Sequence, residues 1–154
     1  MRTPPEERAR SRALPRALAA VTGAVAVLAT LSAAPAGAAG VNTVSCGTPG
    51  GGAGGTLNWG YTGKTKMNPV VLGAHDMGKD GAWPRVRLDI VTASGKRVTY
   101  SWHAHHGGSG TSKRWNTYVS HSAGIVSARV EVQNIKGSSP ASSCYSAKAY
   151  NPYY

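Results

Sequence analysis

Three histidines in the run Trp102-His103-Ala104-His105-His106-Gly107-Gly108 come closest, by type and spacing, to carrying chemistry. On a strand His103 and His105 share one face and His106 points away, so the run supplies at most two metal ligands. A zinc site needs four protein ligands, or three and a water, and His75 or His121 would have to complete it without any recognised spacing. The expectation is strand-end histidines in solvent, with no metal and no cofactor. Arg85, Arg87, Arg97 and Arg129, together with His103, would gather on one outer sheet surface if their strands are neighbours. Such a patch attracts anionic polymers, although Asp89 and Glu131 share the same alternation and cross-strand pairing would neutralise part of it.

The aromatic usage is four Trp and seven Tyr with no Phe, so every ring carries a polar handle. Such rings suit positions with one end packed and the other wet, including binding surfaces. Trp83 and Trp115 at strand entrances, and Tyr145, Tyr150, Tyr153 and Tyr154 in the tail, are the candidates for exposure, whereas Trp59, Tyr61, Tyr100 and Trp102 read as inward. The candidate binding set is therefore Trp83, Arg85, Arg87, Arg97, His103, His105, Trp115 and Arg129.

No catalytic residue is assigned. A glycosidase needs two carboxylates placed across a bond, and no spacing among Asp76, Asp80, Asp89 and Glu131 identifies a pair. Gly-x-Ser-x-Gly, His-Glu-x-x-His and phosphate-loop glycine patterns are absent. A ribonuclease-like alternative would use Glu131 or His103 for proton transfer and Arg85 or Arg129 to stabilise a phosphorane. Another alternative is an inhibitor or toxin that presents loops 75–81 or 107–113 to a protein partner. The leading expectation is a non-catalytic binding or surface-associated protein for anionic wall polymers or polysaccharides, with no specific nucleic-acid partner.

The elements that must position these residues begin with a segment that is not structure. Arg2, Arg8, Arg10, Arg12 and Arg16 precede an uncharged run over 17–31, and Ala36-Gly37-Ala38 offers a cleavage site. That order predicts a cleaved secretory signal over 1–38, an extracellular product and no integral membrane segment after cleavage. Five of the 17 Lys and Arg and two of the six Asp and Glu fall in those residues, so 12 basic and four acidic residues remain. Cys46 and Cys144 also remain, and in an oxidising compartment they predict one structural disulfide. The expected division is 39–55 as mature N-terminus and mobile Gly-rich loop, then 56–154 as a single domain.

Within that domain Val86, Leu88 and Ile90 alternate with Arg85, Arg87 and Asp89, and Val98, Tyr100, Trp102 and Ala104 alternate with Arg97, Thr99, Ser101 and His103. Two half-buried strands result. Opposing their apolar sets pairs Ile90 with Val98 and leaves Ala93-Ser94-Gly95 as a three-residue hairpin loop with glycine at its left-handed position. Continuing the register sets Leu88 against Tyr100, Val86 against Trp102 and Arg85 against His103. A third strand over 125–133 alternates Val126, Ala128, Val130 and Val132 with Ser127, Arg129, Glu131 and Gln133. Further strands are expected over 56–61, 69–74 and 115–119 and around Val44 and Cys144. About seven short strands without a helical period predict an all-β fold, a small antiparallel β-sandwich of immunoglobulin-like or jelly-roll-like kind, closed by one disulfide.

The run HDMGKDGAWPRVRLDIVTASGKRVTYSWHAHHGGSGTSKRWNTYVSHSAGIVSARVEVQN, residues 75–134, resembles small secreted actinobacterial proteins known only as extracellular proteins of unassigned function. The resemblance implies secretion and a β fold and brings no catalytic residues with it.

Overall fold

The computed structural model describes residues 42–154. The expected signal and the start at Ala39 lie outside the described residues. Every element among the described residues is a strand: β1 (Asn42–Gly47), β2 (Ala53–Gly63), β3 (Lys66–Asp76), β4 (Trp83–Val91), β5 (Arg97–Thr99), β6 (His103–Ala104), β7 (Ser112–Ser120), β8 (Ser127–Lys136), β9 (Ser139–Tyr145) and β10 (Ala149–Tyr150). All pairings are antiparallel. One sheet runs β1-β2-β3-β7; in the other β4 and β8 are central, β5 and β6 follow one another along the free side of β4, and β9 and β10 do the same on β8. The ten segments thus trace eight strand paths, close to the seven expected.

Alternation explains why these residues pair in two layers. Leu57, Trp59 and Tyr61 of β2 and Met67, Val70 and Leu72 of β3 join Val86, Leu88 and Ile90 of β4 and Ala128, Val130 and Val132 of β8 in one buried cluster. Each large side chain in such a cluster contributes roughly 1.5–3 kcal/mol of burial. Two apolar faces meeting in one core make a β-sandwich. Cys46 of β1 is bonded to Cys144 of β9 across a sequence separation of 98, with Cα atoms 6.1 Å apart. The bridge joins an edge strand of one sheet to an edge strand of the other, and so closes one side of the sandwich.

The hairpin holds the expected register at its tight end. Ile90 pairs with Val98, Thr92 N–H donates to the Lys96 carbonyl at 2.9 Å, and Gly95 has φ 79°. Tyr100 N–H still donates to the Leu88 carbonyl at 2.9 Å. Beyond that point the expectation fails by one residue: Val86 pairs with His103, not Trp102, and Arg85 pairs with Ala104, not His103. Ser101 and Trp102 together oppose Arg87, which is a β-bulge. Trp102 therefore turns to the outer face and His103 inward.

The Gly-rich stretch also departs from its expected role. Ala53, Gly54 and Gly55 are buried residues of β2; all three pair with β3, and Gly54 and Gly55 also with β1. A Cβ at Gly55 would run into Val132 and Val86 of the opposite sheet. The absence of a side chain here permits close approach of the sheets, a packing use of glycine and not a flexible one. Only Thr48–Gly52 remains as a turn between β1 and β2, with Gly50 and Gly51 at positive φ, so residues 42–55 belong to the sandwich.

Candidate functional site

The outer face of the β4–β8 sheet carries the charged residues singled out from the sequence. β4 does lie between β8 and the β5–β6 path, which sets Arg85 opposite Gln133, Arg87 opposite Glu131 and Asp89 opposite Arg129. Arg85 donates through Nε and Nη2 to Gln133 Oε1 at 2.9 and 2.6 Å, and Arg87 Nε donates to Glu131 Oε2 at 2.8 Å. Asp89 receives two arginines: Arg97 Nε at 2.9 and 2.8 Å from its two oxygens, and Arg129 Nε at 2.7 Å from Oδ2.

Two aromatic rings organise this layer. Trp102, outward because of the bulge, lies beneath Arg85 and Arg87, whose guanidinium carbons stand 4.4 and 4.3 Å from its ring centre. Tyr145 of β9 takes Arg97 and Arg129 at 5.1 and 4.2 Å, and Arg97 Nη2 donates to the Tyr145 hydroxyl at 3.2 Å. Arginine stacking on aromatic faces gains from both the ring quadrupole and contact area. The side chains of Arg97 and Tyr145 come from opposite edges of the sheet and meet over its centre. Asp89 and Glu131, which the alternation places on this outer face, are consequently only 2% and 3% exposed. The bonds from Asp89 and Tyr145 hold the Arg97 guanidinium in its charged form, well above its usual range.

The three clustered histidines go to three different places. His103 faces inward and stacks on Trp115, ring centres 5.2 Å apart. His105 is buried, with Nε2 2.7 Å from Thr111 Oγ1, and not a solvated strand-end residue. His106 stacks on Trp83 at 4.3 Å. No group of three His, Cys, Asp or Glu side chains suited to a metal stands together among the described residues. His103 and Glu131, each named for proton transfer in the ribonuclease-like alternative, lie on opposite faces of their sheet.

Of the candidate aromatics, Trp83 and Trp115 are both half-buried, and Trp115 packs against the core instead of standing free at a strand entrance. Tyr145, Tyr150, Tyr153 and Tyr154 are exposed, as expected, while Trp59 and Tyr61 are core residues. Burial lifts the Tyr61 hydroxyl above its ordinary value of 10, and the half-buried Tyr100 hydroxyl moves in the same direction.

At one end of the sandwich, the β3–β4 and β6–β7 loops form a cavity of about 330 Å³. Its lining includes Asp76, Lys79, Trp83, His106 and Ser109. Asp76 is 3% exposed, and its Oδ1 has no hydrogen-bond partner among the described residues. The β6–β7 loop is fixed to Asp76 through its backbone, with Asp76 N–H donating to the Thr111 carbonyl at 3.0 Å and Gly110 N–H to the Asp76 carbonyl at 2.8 Å. Asp80, exposed on the first loop, is pulled below the usual carboxylate range, chiefly by the Ala82 N–H and also by Asn134 Nδ2.

Fold and site together define a disulfide-tied antiparallel β-sandwich with an arginine–aromatic layer on one sheet and a small cavity at one end. No protein family, curated protein or solved structure compared with the chain matches it. Sequence reasoning missed Trp102 and Tyr145 as partners of the arginines and Asp76 as a cavity residue. Trp102 was hidden by a bulge that no glycine marks, and Tyr145 by a tail with little alternation.

Proposed function

We propose that this protein is a non-catalytic extracellular binder of anionic polymers, acting through the arginine–aromatic face. The observation that carries this reading is the burial of Asp76, Asp89 and Glu131, three of the four Asp and Glu that follow residue 38, in a domain with 12 Lys and Arg once the five arginines of the first 38 residues are removed from 17. Fixed negative charge is withdrawn inward while the cations stay near the surface. Arg87 and Arg129 are each engaged with carboxylates through Nε, and a guanidinium has further N–H donors on both Nη atoms. Rings and carboxylates hold these guanidiniums in place, so a phosphate, sulfate or uronate group meets donors that lose little side-chain freedom on binding. The resemblance to small secreted proteins supports the extracellular setting.

The test is retention of the protein on immobilised polyphosphate, polygalacturonate and a neutral glucan at low and high sodium chloride. Retention on both polyanions should fall steeply with salt, and Arg87→Ala with Arg129→Ala should elute earlier than the parent. Equal retention on the neutral glucan, or retention on polyanions that ignores salt, would refute the reading.

A further inference from the structure

We propose that the cavity at the end of the sandwich is a binding site for a neutral pyranose sugar, separate from the arginine face. Asp76 is a buried carboxylate in the lining of this cavity. The other two buried carboxylates among the described residues, Asp89 and Glu131, are each covered by two arginines. Asp76 is as deeply buried as they are and makes no ion pair among the described residues, and its Oδ1 accepts no hydrogen bond from them. A buried acceptor without a donor is costly, so its retention calls for an explanation. Asp76 also lines a cavity, and a ligand hydroxyl there would supply the missing donor.

The rest of the lining narrows the ligand class. A simple anion would be repelled by Asp76. A small cation would be opposed by Lys79, and no triad of metal-ligating side chains stands there to hold a metal ion. A polyhydroxylated ring carries donors for Asp76, acceptors for the Lys79 ammonium and the Ser109 hydroxyl, and an apolar C–H face for Trp83. The volume of about 330 Å³ falls at the small end of ligand clefts and suits a single sugar unit. Both loops are pinned by the backbone bonds around Asp76 and by the Trp83–His106 stack, so the cavity exists before a ligand arrives. Trp83 stands on β4 two positions before Arg85, which sets the cavity at the margin of the arginine face.

The experiment is titration of the protein with glucose, galactose, mannose and N-acetylglucosamine, followed by backbone amide NMR shifts. At least one sugar should shift amides of 78–83 and 106–111 saturably, with the millimolar affinity typical of ligands with about 12–15 non-hydrogen atoms. That binding should be unaffected by salt and by Arg87→Ala, which separates it from polyanion retention on the sheet face. Asp76→Asn should weaken it at least tenfold. Ser109→Trp, a change at an exposed position on the cavity's rim, should abolish it with the melting temperature preserved, and it decides the matter if Asp76→Asn does not fold. The proposal is overturned if no sugar produces saturable shifts at tens of millimolar, if the shifts fall elsewhere, or if Ser109→Trp binds like the parent. It is also overturned if calcium or ammonium shifts the same amides and no sugar does.

Discussion

At the residue scale Asp89 is the centre of the outer layer. Its carboxylate is 2% exposed and accepts from both Arg97 and Arg129, so its removal leaves two guanidiniums without their principal partner. Breaking a fully buried pair costs about 3–5 kcal/mol. Here the arginine side chains are 45% and 24% exposed, and solvent takes over part of the lost interaction. Asp89→Asn should therefore lower stability by roughly 2 kcal/mol by urea unfolding, and by less when Arg97 has first been changed to Gln, because the pair is coupled. Equal losses in both backgrounds would show that Asp89 acts alone.

At the element scale the bulge decides which ring meets the arginines. Alternation and turn chemistry make the Ile90–Val98 register and the Gly95 loop legible, because a one-residue slip there would expose the whole apolar set. They fail at Ser101 and Trp102 since a bulge inserts its extra residue without changing the residues on either side. Deleting Ser101 leaves Trp102 opposite Arg87 and keeps His103 opposite Val86, so that variant should fold, keep Trp102 outward and melt within a few degrees of the parent. Burial of the Trp102 ring, seen by fluorescence quenching, would contradict the assignment. The same limit applies to Gly55, where composition suggests a loop but the nearness of Val86 and Val132 across the core explains the glycine. The carboxylates of the layer were visible in the sequence, but their burial depends on long side chains arriving from other strands. The disulfide was legible from the expectation of export and the count of two cysteines, and replacing both Cys46 and Cys144 with Ala should remove about 4–5 kcal/mol, the chain-entropy value for a loop of nearly this length. A loss below about 1 kcal/mol in urea would place the stabilisation elsewhere.

At the scale of the whole molecule, the two sheets are held in one stability curve whose pH limits follow from named groups. In acid, Asp80 is the marked case: its folded pKa is lowered, first by the Ala82 N–H, so its contribution is present above the ordinary carboxylate range and fades as pH falls through the folded value. Tyr61 governs the alkaline side. Its hydroxyl donates to the Ala149 carbonyl at 2.8 Å and thereby links β2 of one sheet to β10 of the other, and burial raises its pKa above the ordinary 10. The folded phenol stays protonated where the unfolded one ionises, so its contribution is complete below about pH 10 and is lost as pH climbs toward the folded value. Tyr100 moves in the same direction through its own burial and adds to the slope. Each fully linked proton changes stability by about 1.4 kcal/mol per pH unit. Tyr61→Phe should lose about 1 kcal/mol at neutral pH with its hydrogen bond but show a shallower decline above pH 10. Urea midpoints measured for both proteins from neutrality into that range test the sign directly: parallel curves would mean that Tyr61 does not set the alkaline limit of the sandwich.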